Sequence, residues 1–196
     1  MDGDGLGGER LGAARAALFG CHDADPAGDA RAYHEAVERW VVALDAEASA
    51  VVRLAAMSQH IERWTIPRAE YPMGRVGYRR WRSALSQLHA RRAGEVLAAA
   101  GFDESVTARV GALLTKQRLR SDPEAGLLQD AVCLTFLERT LDGFAAGRDP
   151  AQLASILAKT WAKMTPRGQA AARALAPSLS QEAQTVLSEA LAGVPD

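Results

Sequence analysis

Only two cysteines, Cys21 and Cys133, occur in 196 residues. They are too few for a disulfide framework, and their spacing matches no zinc motif. Cys133, inside "AVCLTF", reads as a small buried hydrophobe. No apolar run nears the roughly 20 residues that a bilayer-spanning helix needs, so no membrane partner is expected. The opening "MDGDGLGGER" has neither a basic segment nor an apolar one. A secretory signal is therefore not expected, and the cytoplasm is the default compartment. Neither sign of charge dominates, with 23 Lys and Arg against 24 Asp and Glu. That balance gives no global pull towards nucleic acid or a membrane surface. No segment alternates with period two and β-branched residues are sparse, which leaves little to build a sheet.

Alanine and helical periodicity fill the space instead, and an all-α fold is expected. The length suits one core, giving a flexible N-terminus over 1–8, a single all-helical domain over 9–192 and a tail over 193–196. A first helix should end near Gly20, because Asp25-Pro26 in "HDADPAG" forces a turn. Further helices are expected at 28–45, 47–62, 78–100, 103–116 and 123–146, then two or three more to about 192. "DPA" at 149–151 and "TPRG" at 165–168 look like helix starts, each a capping residue followed by proline. One long irregular segment remains, about Arg63 to Gly77, and loops of that length are often functional.

Four histidines punctuate the chain. His22 sits in the early turn and reads as a solvated surface residue, whereas His34, His60 and His89 fall on separate apolar-periodic helices. Asp130 interrupts the apolar run "GLLQDAVCLTFLE". A carboxylate there costs several kcal/mol to bury without a partner, so it needs one. A metal held by imidazoles and one carboxylate would supply it; so would an arginine, with the histidines independent core residues.

"HARRAGEVLAAAGFDESVTARVGALL" followed by "DPEAGLLQDAVCLTFLE" resembles the second half of HD-domain proteins, and "YHEAVERWVVALDAEASAVVRLAAMSQHI" resembles the first. Gln59-His60 stands where that family carries its His-Asp doublet. "SQHIERWTIPRAEYPMGRVGYRRWR", "KQRLRSDPE", "CLTFLE" and "KTWAKMTPRG" resemble a family described only as a domain of unknown function, number 4202, from about Tyr33 to Ala171. Gly126 and Gln129 depart from that family's usual Gln and Glu.

The HD-domain likeness implies a divalent metal ion, manganese, iron or similar, held by His34, His60, His89 and Asp130. It further implies hydrolysis of a small phosphorylated or anionic compound. An HD-type iron oxygenase is the alternative enzyme, although a dinuclear site wants more ligands than these. A non-catalytic anion- or nucleotide-binding protein is the third expectation, favoured by the missing doublet.

The segment after His60 supplies the chemistry for an anion. Arg63, Arg68 and Arg75 lie among aromatic residues, prolines and glycines, and Lys116, Arg118 and Arg120 add a second cationic cluster. Guanidinium forks bind phosphate or carboxylate bidentately. Arg63, Arg68, Arg75 and Lys116 are therefore the substrate-binding candidates. The same arginines could instead pair with Glu62, Glu70, Asp122 and Glu124. A nucleic-acid surface is the weakest expectation, though basic and aromatic residues together also suit single strands.

Overall fold

Capping side chains set where most helices begin. Ser49, Asp103, Asp122, Asp149 and Thr165 each accept a hydrogen bond from a backbone N–H in the first turn that follows. Proline occupies the first turn after Asp122, Asp149 and Thr165, where its missing N–H costs nothing. The computed structural model describes residues 3–117, 121–145 and 148–191, and the expected tail at 193–196, with Arg118 and Arg120, lies outside them.

Ten α-helices result among the described residues, with no strand: α1 Gly3–His22, α2 Ala30–Leu44, α3 Ala50–Ser58, α4 Gly74–Ala99, α5 Glu104–Leu114, α6 Pro123–Arg139, α7 Leu141–Ala145, α8 Pro150–Trp161, α9 Pro166–Leu175 and α10 Gln181–Leu191. The expected all-α fold is what forms. No helix among the described residues is long and apolar enough to cross a membrane. Three boundaries differ from expectation. α1 is already helical at Gly3, within the stretch expected to be a flexible start, and it continues through His22. α3 stops at Ser58, because Glu62 then turns into the left-handed region at φ 52°. The run expected over 123–146 breaks at Thr140 into α6 and α7.

α6 is the spine. Ala125 to Ala131 pack into a first apolar cluster with α1 to α5, and Cys133 to Leu137 pack into a second with α8 to α10. A helix buried almost all round belongs at the centre of a helical domain. Glu38, itself buried, is held by Arg15 at 3.1 Å and Arg53 at 2.9 Å, so one carboxylate ties α1, α2 and α3 together.

The loop between α3 and α4 contains two 3₁₀ turns, Arg63–Thr65 and Arg68–Glu70, and it folds back on α4. Arg68 donates to the carbonyls of Tyr71 and Pro72, and the Trp81 indole donates to Ile66 O. Gly77 lets this strap lie flat, because a Cβ there would stand 1.8 Å from Pro72 O. Gly77→Ala is accordingly expected to lower stability by about 2 kcal/mol through overpacking. Limited proteolysis should also cut faster within 63–73; unchanged melting and cleavage would contradict the strap.

Candidate functional site

The end of α3 leaves backbone groups that no further helical turn can satisfy. Three imidazoles take them up. His22, from the end of α1, donates through Nε2 to Met57 O at 2.7 Å. His34, from α2, donates through Nδ1 to Ala30 O and accepts the His60 backbone N–H at Nε2, 3.1 Å away. His89, from α4, donates through Nδ1 to Ile61 O at 2.8 Å. A carbonyl can only accept and an amide N–H can only donate, so His34, which accepts at Nε2, must be neutral, and His22 and His89 each carry a proton on the nitrogen that faces a carbonyl. The His22 and His34 rings stack at 3.7 Å, and those of His34 and His60, then His60 and His89, follow at 6.2 and 5.8 Å.

Burial pushes all four imidazoles below the usual histidine range, His34 to about 3 and His89 to about 4, with His60 well below its ordinary value. The expectation of a solvated His22 was wrong. Its residue is 1% exposed, because α1 extends past the expected stop and turns the ring inward.

The residues expected to hold a metal separate into two groups. His60 and His89 keep nitrogens that point at no protein partner: His89 Nε2 is buried and unpaired, and neither ring nitrogen of His60 is hydrogen-bonded among the described residues. His34 has both nitrogens engaged. Asp130 lies elsewhere. It is fully buried, and it accepts the Thr165 N–H at 2.8 Å on one oxygen and the Thr165 hydroxyl on the other. Gly168 has no side chain where the Asp130 carboxyl sits, since a Cβ there would be 2.3 Å from it. Burial raises the Asp130 carboxyl while the Thr165 bonds oppose the rise. The partner that Asp130 needed is thus a helix start. Two imidazoles are left, and no three His, Cys, Asp or Glu side chains among the described residues surround one point. That donor set does not fit the three- or four-ligand shell of a resident divalent ion.

His60 instead faces a cavity of about 810 Å³ between the Arg63–Arg68 strap, α2 and α6 to α8. A second hollow of about 410 Å³ opens on its other side, over His89 and α4. Gln59, His60, Arg63, Arg82 and Lys116 line both. Arg63 is half-buried with its guanidinium over the Trp81 ring at 4.8 Å. Burial, then the neighbouring Arg82 guanidinium, hold Arg63 below its ordinary pKa, and the same pair of causes depresses Lys116. Lys116 nevertheless remains open to solvent along the cavity, and its ammonium donates to Gln129 Oε1 at 2.8 Å.

No carboxylate among the described residues is within ion-pair distance of Arg63, Arg82 or Lys116. Of the acids that could have taken them, Glu62 pairs with Arg92 at 2.7 Å, Asp122 and Glu124 pair with Arg109, and Glu70 is exposed and reaches none of the three cations. Asp25 and Asp29 stand on the cavity wall, and Asp25 accepts from the Ala27, Asp29 and Ala30 amides. Buried Gln59 Oε1 has no partner either.

Of the expected substrate-binding residues, Arg63 and Lys116 line both hollows. Arg68 lines the cavity but holds the strap. Arg75 is exposed and lines neither hollow. Arg82, part of the arginine-rich run but not singled out from it, and Lys163, read as solvated, reach the wall through the helical phase of α4 and the turn after α8. The chain belongs to the family described as a domain of unknown function (DUF4202), which it matches over residues 13–187. No curated protein and no solved structure matches it.

The clamp makes stability depend on acid. The unfolded imidazoles titrate near the ordinary 6.5 and the folded ones below it. Their contribution is complete above pH 6.5 and is lost as pH falls through the folded values. Between pH 6 and 5 the loss should be about 1.4 kcal/mol per pH unit for each histidine protonated only on unfolding. Chemical denaturation at several pH values measures it, and a flat profile from pH 7 to 5 would contradict neutral clamps.

Asp130→Ala should cost about 3 kcal/mol by losing the two charge-assisted bonds that hold Thr165, the cap of α9. EDTA should leave the melting of wild type and variant unchanged; a wild type that EDTA alone destabilises would return Asp130 to a metal.

Proposed function

We propose that the cavity beside His60 binds a small anionic compound, a phosphate ester or a nucleotide. The observation that carries this is the convergence of Arg63, Arg82 and Lys116 on one wall with no carboxylate beside them. Cations crowded until each disfavours the other's charge are costly, and an anion relieves that repulsion. Fixed guanidinium and ammonium donors suit phosphoryl oxygens, and neutral His60 adds either an N–H donor or a lone pair without adding repulsion. Unpaired Gln59 Oε1 and His89 Nε2 offer acceptors for a ligand hydroxyl.

The clustering of His34, His60 and His89 supports a distant relation to the HD-domain architecture, with the metal-ligand set not carried over. Metal-dependent hydrolysis and iron-dependent oxygenation both need ligands that His34 and Asp130 do not present, so binding is favoured over either chemistry. The two free cysteines are in keeping with a reducing, cytoplasmic compartment.

Titration with pyrophosphate and adenosine monophosphate in low salt tests the proposal. Arg63→Gln and Lys116→Gln should each weaken binding about tenfold to a hundredfold, the scale of one charge-assisted hydrogen bond. Arg75→Gln should leave it unchanged. Binding that ignores Arg63 and Lys116, or that Arg75 controls, would sink the assignment.

A further inference from the structure

A cavity of about 810 Å³ is far larger than a phosphate group requires and falls in the range that holds drug-sized molecules. Its wall also changes character along its length. Arg63, Arg82 and Lys116 are shared with the neighbouring hollow, whereas Phe136, Phe144 and Ile156 line the large cavity alone, with Thr140, Thr160 and Lys163 at their margin. These three come from α6, α7 and α8 and are partly exposed, Phe136 and Phe144 packing against the second apolar cluster. Phe136 and Phe144 meet edge to face with centroids 5.4 Å apart, a packed surface rather than two loose rings.

α6 supplies a ruler for this gradient. Gln129, Val132, Cys133 and Phe136 all line the cavity, at spacings of three and four that put them on one face of the helix. The stripe begins at Gln129, which receives the Lys116 ammonium, and ends at Phe136 in the apolar wall. Seven residues of helix at 1.5 Å each span roughly 10 Å.

From this we infer that the ligand is an amphipathic phosphate monoester: an anionic head at Arg63, Arg82 and Lys116, joined to a hydrocarbon body reaching about 10 Å along α6 to Phe136. The inference rests on the anion-binding reading and adds the body to it. Tyr33 lines the same cavity, and burial pushes its phenol up to about 12, so it adds no negative charge against the head.

Inorganic phosphate, methyl phosphate, hexyl phosphate and adenosine monophosphate, titrated calorimetrically into the full chain, separate the two claims. Hexyl phosphate should bind at least tenfold tighter than methyl phosphate, since each buried methylene is worth roughly fourfold. Arg63→Gln should weaken both esters alike. Phe136→Ser should erase the chain-length gain while sparing methyl phosphate. Ile156→Ser, at a position outside the second apolar cluster, makes the same test should Phe136→Ser not fold. Equal affinity for methyl and hexyl phosphate, or a gain that survives both wall variants, would overturn the hydrocarbon body and leave the anion site standing. Tighter binding of adenosine monophosphate than of hexyl phosphate would overturn it in favour of a base-stacking wall. Hexyl phosphate binding that ignores Arg63 would instead overturn the anion site, and no binding of any probe would overturn both.

Discussion

Three neutral imidazoles hold the backbone where α3 ends, and the site depends on that clamp. His22, His34 and His89 arrive from three different helices and bind Met57 O, His60 N and Ile61 O. Without them the turn from Ser58 to Glu62 would bury unsatisfied polar groups at a cost of about 1–3 kcal/mol each. With them, the backbone of His60 is fixed by its neighbours and its side chain is turned into the cavity. The strap then follows in a set direction, which places Arg63 over Trp81 and in the cavity that Lys116 also lines.

The clamp also explains why so much positive charge is tolerated there. Protonation of His34 would remove the acceptor of the His60 N–H, and protonation of His89 would strand an extra proton in a buried place already near Arg63 and Arg82. Neutral histidines satisfy the backbone without adding charge; lysine or arginine could not do so beside the same cations. The carboxylates nearby have their own duties, Glu62 on Arg92 and Asp130 on Thr165, which leaves Arg63, Arg82 and Lys116 without an ion-pair partner among the described residues.

Much of this was legible in the sequence, though in pieces. Caps followed by proline located α8 and α9, and alanine-rich periodicity gave the helical class. The sequence signalled that Asp130 needed a partner and, separately, that Thr165 starts a helix; nothing in it joins two positions 35 residues apart. The likeness to HD-domain proteins put His34, His60 and His89 in one place, which they share, but the role of His34 and His89 is to bind backbone. His22 was hidden because α1 runs through it, past the stop expected near Gly20 before the Asp25-Pro26 turn. Arg82 and Lys163 reach the wall through long-range packing of α4 and α8, for which local spacing carries no signal.

The most direct test of an anion site is a crystal structure of the protein soaked in tungstate, whose anomalous scattering locates an oxyanion without ambiguity. Tungstate should lie between the side chains of Arg63, Arg82 and Lys116, on the face of the cavity that His60 occupies. Tungstate confined to the outer surface, with Arg63 and Lys116 each turned onto a carboxylate, would contradict it.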